Sequence, residues 1–450
     1  MNTTRVLKLH TAFQREGLNG LIKLIGKHFK KIIFHPLLAI VSIPITLTVI
    51  LISPWIRIRF FMLLSDRIGH YAGSTEVLLC MLEQSPCKLF DKMYFYLIPG
   101  APISNYQLHR MWKRKITILP FSYIWADVNR YLMKWGGKNY REDPYKKFFD
   151  FGDGCDRWNL IGKINKCRLQ FNEKEKKEGK YLLDKMGIPT NAHYVCLLDR
   201  DSNYLKIHKP TVDCSYHDYR NVNIDTYKES ALYLAEKGYY VIRMGKYAEK
   251  KFNVAHQKIY DYATSQFRSD FMDIYLTAHC FFFISVGTGL DAVAQIFRKP
   301  ILITNYPLSD RGVWPDWRLF ITKKVVEIKS GRQLTFNEIF NIFTNTDHRN
   351  VSTVAASNGL VFIDNTPEEI REAVEEMEQR MLGKWNETSC DFQLQEKFWS
   401  NYPDRFSSEV PNLILPLFRY QNINNGNTLR VGSSFLKKHF DTTIKTDNCN

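Results

Sequence analysis

The chain has 450 residues, of which 45% are hydrophobic and 14% aromatic, and it carries a formal net charge of +16 at pH 7. That length holds two ordinary domains with appendages, and that composition excludes a disordered chain. Nine cysteines are scattered with no CxxC pair and no regular framework, so they read as buried or incidental thiols in a reducing compartment, and the sequons at Asn350 and Asn386 carry little weight.

The charge is unevenly placed. Within residues 1–70, ten Lys or Arg are set against only Glu16 and Asp66. They flank an uncharged apolar run at 36–55, PLLAIVSIPITLTVILISPW, long enough to cross a bilayer. Such a pairing points to a membrane carrying anionic lipid and away from nucleic acid. The run starts late and no small-residue cleavage site follows it, which argues against a secretory signal. Lys27, Lys30 and Lys31 before the run and Arg57, Arg59 and Arg67 after it leave the orientation open. With Pro44 inside, that symmetry predicts a re-entrant or interfacial segment on the inner face of the membrane. A simple span and a core helix of the folded part are the alternatives.

Next comes SDRIGHYAGSTEVLLCMLEQ, a loop running into a helix from about Thr75. His70 and Glu76 are candidate proton carriers here. Read structurally, they are a satisfied loop histidine and a first-turn dipole partner. Strands are expected at 93–99 and 116–120 around a basic helix bearing Arg110, Lys113, Arg114 and Lys115, as in a small α/β domain. The Gly/Asp-rich stretch 150–158 reads as an interdomain crossing or a cleft loop. Asn172 and Glu175 form a capping box for a helix through Lys185, ended by Gly187 and Pro189.

A regular alternation follows: a strand at 195–198, a helix at 224–236 and a strand at 239–244, which implies a parallel sheet. The loop Asp199-Arg200-Asp201-Ser202-Asn203-Tyr204 has two readings. Asp199 and Asp201 are a DxD pair holding a divalent metal against a nucleotide diphosphate, or Arg200 clamps the diphosphate and the aspartates orient it. His217, Asp218, Tyr219 and Arg220 form a second polar cluster, and Arg243 ends the second strand at the same sheet edge. Loop-stabilising salt bridges are the plainer account of these arginines.

The stretch 267–305 contains a complete βαβ unit. Ser269 and Asp270 open a helix with apolar Phe271, Ile274, Tyr275 and Ala278, and the apolar run 280–284 is a buried strand ending at Ser285. Gly287-Thr288-Gly289 then turns the chain into a helix around 290–297, with Asp291 near its start, before a strand at 300–305. Glycine backbone, the Ser285 and Thr288 hydroxyls and the N–H groups of the next helix suit a phosphate or diphosphate. Alternatively, Gly287 and Gly289 only tighten a strand-to-helix connection. Beyond lie Trp314-Pro-Asp-Trp317, Lys323-Lys324, a helix near Phe336, a strand at 359–364, and a charged helix at 367–381 capped by Thr366. The aromatic-rich tail 392–450, ordered as far as 433–438, is expected to pack back across the domains.

RIGHYAGSTE, DRWNL, DRDSNYL, YHDYRNVNIDTY, GYYVIRMGK, FRSDFMDIYL, FIS-xx-TGLDAV, FIDNTPEEI and SSFLKK together resemble the recurring blocks of a bacterial family of glycosyltransferases of surface-polysaccharide synthesis, over roughly 57–438. The resemblance implies an α/β fold of GT-B type, with two Rossmann-like domains facing across a cleft and the donor bound by the C-terminal one. The expected division is a membrane-associating segment at 1–64, an acceptor-side domain at 65–188, a donor domain at 189–365 and a helical extension at 366–450. It also implies transfer of a sugar from a nucleotide-sugar donor to a lipid-linked or oligosaccharide acceptor on the cytoplasmic face of the inner membrane, without a cofactor. On that plan Arg200, Arg243, Ser285, Gly287, Thr288, Gly289 and Asp291 hold the donor, and His70 or Glu76 is the general base. Fucosyltransferase-like enzymes carry His-x-Arg at the Arg200 position, whereas Leu198 stands here two residues before the arginine. Metal-independent chemistry is expected, with Asp199 and Asp201 the sites for a cation otherwise. Rival readings are a nucleotide-sugar epimerase of similar fold and a non-enzymatic membrane-associated assembly protein.

Overall fold

The computed structural model describes residues 35–84, 91–141, 143, 156, 160–164, 166–208, 213–308, 317–343, 346–402 and 429–440. The cations of 1–31, the 150–158 crossing apart from Asp156, the motif at 314–316 and tail residues 403–428 lie outside these. Two compact units interleave along the chain: residues 1–64, 86–102 and 116–150 form the first, and 65–85, 103–115 and 151–450 the second. Segments 65–85 and 103–115, expected in a separate N-terminal domain, therefore belong to the same unit as the large sheet.

In the first unit β1 (Ile58–Leu63) pairs in parallel with β2 (Lys92–Leu97). The strand expected at 116–120 is reduced to one bridge, Ile118 to Phe95. The apolar run forms a helix, His35–Ile52, with Pro44 inside it, which packs on the Ser122–Trp135 helix. Val49, Phe60, Tyr96, Val128, Leu132 and Tyr140 make the core there. Arg59 is buried against Asp91 and Asp143. No helix among the described residues is long and apolar enough to cross a membrane.

The second unit is built on a seven-stranded sheet in which every neighbouring pair is parallel. Its strands are β3 (Tyr194–Leu198), β4 (Tyr240–Met244), β5 (Ile259–Asp261), β6 (Phe283–Ser285), β7 (Ile301–Tyr306), β8 (Trp317–Thr322) and, after the short antiparallel pair β9 (Lys324–Glu327) and β10 (Leu360–Ile363), β11 (Arg430–Val431). The order is β11-β8-β7-β6-β3-β4-β5. Every residue of β3, β6 and β7 is buried, as strands covered by helices on both faces require. The strand expected at 359–364 exists as β10 but stands outside this sheet.

Local capping follows the sequence. Asn172 and Glu175 close a capping box on the Glu173–Lys185 helix, Ser269 caps Asp270–His279, and Thr366 with Glu369 caps Pro367–Met381. Glu175 does a second job. It accepts both Nη atoms of Arg114 at 2.8 and 3.0 Å and the Gln107 amide at 2.7 Å, fixing the Tyr106–Lys113 helix to the unit. The Asp270 side chain accepts from the Tyr106 amide at 2.9 Å at that helix's other end.

Candidate active site at the sheet's switch point

From β3 the chain proceeds outward through β4 to β5, whereas β6, β7 and β8 build in the opposite direction. The strand order reverses between β3 and β6, and the loops leaving their carboxyl ends diverge there. In open parallel sheets this crevice is where ligands bind.

The loop after β3 supplies Arg200 and the loop after β6 supplies Thr288. Arg200 Nη1 donates to Thr288 Oγ1 at 3.4 Å, so the two loops meet at the reversal. Arg220 donates to the Gly287 carbonyl and is only 9% exposed. Two guanidinium groups thus converge on one turn, in which Gly287 adopts φ of +73°, a conformation that side-chain-bearing residues avoid. Below the turn Ser285 Oγ donates to Asp291 Oδ2 at 3.2 Å, and the Asp291 amide donates to the Thr288 carbonyl at 3.0 Å. Burial pushes the Asp291 carboxyl up to about 7, against the hydrogen bond from Ser285 and the nearby charge of Arg220. Below about pH 7 that carboxyl is largely protonated beside Arg220, which keeps the turn electropositive, as a diphosphate demands.

The second wall comes from segment 65–85. A Cβ placed on Gly69 would lie 3.0 Å from Gly289 Cα and 3.2 Å from its carbonyl oxygen, and one on Gly289 would lie 3.1 Å from Ile68 Cγ2. The two glycines are therefore backbone-to-backbone neighbours. His70 follows directly and opens one turn of π-helix, His70–Ser74, before the Thr75–Gln84 helix. π-Turns of this kind concentrate at functional sites. Its Nδ1 lies 3.5 Å from Ser74 Oγ.

Two expected site residues go elsewhere. Glu76 is fully buried, with Oε1 accepting from Arg168 at 2.6 Å and from Arg298 at 2.8 Å. A carboxylate held by two guanidinium groups away from solvent fastens segment 65–85 to Arg168 and Arg298. Arg243 is 1% exposed. It grips Asp199 bidentately at 2.8 and 3.1 Å and reaches Asp261 at 3.3 Å, so its donors serve the carboxyl ends of β3, β4 and β5 instead of a ligand. Asp201 accepts from the Asn203 and Glu249 amides at 3.0 and 2.8 Å. Both aspartates of the DxD reading are thus turned to protein partners. Among the described residues no group of three or more His, Cys, Asp or Glu is placed to hold a metal ion.

The site accordingly gathers Arg200, Ser285, Gly287, Thr288, Gly289, Asp291 and His70. In sequence Arg220 stands out only as part of a polar cluster, and Gly69 does not stand out. The one available hint for Gly69 was a glycine lodged between Ile68 and His70.

No protein-family model matches the chain, and no characterised protein matches it in sequence. Several solved structures are similar to it, three of which follow. ADP-heptose lps heptosyltransferase II of E. coli is 12% identical over 66% of this chain and 99% of its own, with a TM-score of 0.35. A glycosyl transferase family 9 protein from Veillonella parvula is 12% identical over 58% and 82%, with a TM-score of 0.33. The MnaA–UDP complex of S. aureus is 9% identical over 73% and 98%, with a TM-score of 0.27. The first two are named as sugar-transferring enzymes, but scores this low establish no common fold, and the functional argument rests on the site itself.

Proposed function

We propose that the protein is a glycosyltransferase that moves a sugar from a nucleotide-sugar donor to a lipid-linked or oligosaccharide acceptor in surface-polysaccharide synthesis. The observation that carries this reading is the meeting of Arg200, Arg220 and the Gly287–Gly289 turn where the parallel sheet reverses its strand order. Two fixed cations at that point neutralise a diphosphate leaving group as the bond to the anomeric carbon breaks. Deprotonation of the acceptor hydroxyl falls to His70, which directly follows Gly69 beside the same turn. Glu76 is withdrawn from that role by its two arginines. No divalent cation takes part in this reading, because Arg243 already neutralises Asp199 and backbone amides hold Asp201.

The test is a thermal-shift screen with UDP, GDP, CDP and ADP, on the parent protein and on Arg200→Ala. One nucleotide should raise the melting temperature by several degrees, as mass action requires at concentrations well above Kd. The substitution should abolish the shift while leaving the unliganded melt in place. A response to none of the four nucleotides, or an undiminished response in Arg200→Ala, would refute the assignment. Transfer that is lost in chelator and restored by manganese would overturn the metal-independent mechanism.

A further inference from the structure

The His35–Ile52 helix is inverted relative to an ordinary surface helix. Its inward side carries polar Ser42 and Thr46, both fully buried, with Val49. Ser42 Oγ donates to the Ile124 carbonyl at 3.4 Å and Thr46 Oγ1 to the Ser42 carbonyl at 2.7 Å. The opposite side is open to solvent and apolar apart from Thr48, whose hydroxyl donates to the Pro44 carbonyl at 2.9 Å: Leu37, Ile40, Val41, Leu47 and Leu51 are exposed at helical spacing, and Trp55 continues the line just beyond the helix at 71% exposure. No Asp, Glu, Lys or Arg interrupts it. A contiguous stripe of this size calls for a partner.

Charge placement decides among partners. In the described part of this unit the acidic residues are engaged: Asp91 and Asp143 with Arg59, and Asp127 with Arg130. Lys92, Lys134, Lys138 and Arg141 remain exposed. Lys134, Lys138 and Arg141 form a basic cluster along the chain beside Trp135, itself 40% exposed. This cluster lies at the Trp55 end of the stripe, because the Arg57 guanidinium donates to the Asn139 carbonyl. An apolar helical stripe ending in tryptophans and unpaired cations matches the boundary between headgroups and acyl chains of an anionic bilayer, where tryptophan rings settle and lysines meet phosphate. A protein partner of the same shape would have to supply both an apolar groove and a matching acidic rim.

We infer that the His35–Ile52 helix docks the protein onto an anionic membrane surface in the plane of the bilayer, through the Leu37–Ile40–Val41–Leu47–Leu51–Trp55 stripe, with Lys134, Lys138 and Arg141 on the headgroups. The helix does not pass through the bilayer, because its other side is occupied by the Ser122–Trp135 helix. The inference stands independently of the transferase reading, since it concerns the first unit alone.

The test is flotation of the full chain with preformed vesicles of phosphatidylcholine, with or without phosphatidylglycerol. Binding to the phosphatidylglycerol-containing vesicles should exceed binding to phosphatidylcholine alone by at least about tenfold and should fall with added salt. Leu47→Glu combined with Leu51→Glu should reduce it at least about tenfold, with an unchanged thermal melt, since both side chains already face solvent. Lys134→Glu with Lys138→Glu should remove the lipid-charge dependence and is the second variant should the first fail to fold. Flotation that is equal for parent and Leu47→Glu/Leu51→Glu would overturn the assignment. So would absence of flotation, whether sedimentation velocity then shows a dimer dissociated by the same substitutions, which makes the stripe a contact between copies, or a monomer, which means the chain covers it itself. None of these readouts uses a nucleotide, so failure here and failure of the transferase reading are separable.

Discussion

Glu76→Gln separates a structural carboxylate from a catalytic one. The substitution keeps the shape of the side chain and strips its charge, leaving Arg168 and Arg298, 12% and 14% exposed, without their shared counter-ion. Removing one partner of a buried pair costs about 3–5 kcal/mol. The low end applies here, because Arg298 keeps the carbonyls of Lys166 and Ile296 at 2.8 and 2.9 Å and Arg168 keeps Glu83. At roughly 2–4 °C per kcal/mol, a loss of about 3 kcal/mol lowers the melting temperature by roughly 6–12 °C. The measurement is a thermal melt with and without the stabilising nucleotide. The unliganded melt should drop by that amount while the increment on nucleotide binding persists at temperatures where the variant is folded. A variant that melts like the parent but transfers no sugar would refute this account and return Glu76 to the chemistry.

The other predictions concern the turn. Gly69→Ala should destabilise the protein by about 1–3 kcal/mol and weaken the nucleotide-induced shift, because the added methyl meets Gly289 backbone 3.0 Å away instead of a side chain that can yield. A normal melt and shift would show that the two glycines are not in contact. Asp291 links stability to pH. Its carboxyl is raised from 3.8 to about 7 by burial, so the folded state holds a proton that the unfolded chain releases at lower pH. Its contribution is therefore complete below about pH 4 and is lost as pH rises through about 7, on the order of 4 kcal/mol in all. Asp291→Asn should flatten that slope in melts taken between pH 4 and 8 and raise stability at pH 8, and an unchanged slope would refute the assignment. Nucleotide binding by the parent should also weaken above pH 7, where the turn gains a negative charge, and should not do so in Asp291→Asn.

The legible features were those set by neighbours in sequence. Ser269, Asn172 with Glu175, and Thr366 with Glu369 cap their helices across three or four residues, so a short window contains the whole interaction. The apolar runs of β3, β6 and β7 declare their burial in the same way. The Gly287–Gly289 turn was visible because strand, turn and helix follow without interruption. Arg243 and Glu76 show the opposite case, because their partners lie far off in the chain. A strand-end arginine looks alike from sequence whether it meets a ligand or Asp199, 44 positions away. Nothing local shows that Glu76 will be claimed by Arg168 and Arg298. The same applies to 65–85 and 103–115, whose assignment to the second unit rests on Gly69 against Gly289 and Gln107 and Arg114 against Glu175. The strand at 359–364 was recognised as a strand, but nothing in its alternation says whether it joins the parallel sheet or pairs antiparallel with β9.

The interleaving of the two units has a consequence for synthesis of the chain. Glu76 and Arg298 are 222 positions apart, which at 5–20 residues per second separates their emergence from the ribosome by about 10–45 s. During that interval the Thr75–Gln84 segment, with Val77, Leu78 and Met81 all destined for burial, waits for Arg298, while β7, β8 and β11 of the sheet are still to come. Elongation rate and chaperone supply should therefore govern the yield of native protein more strongly than for a chain whose domains are complete in order of appearance. Synonymous codon changes that delay translation between 85 and 298 should lower soluble yield without altering the melting temperature of the molecules that do fold.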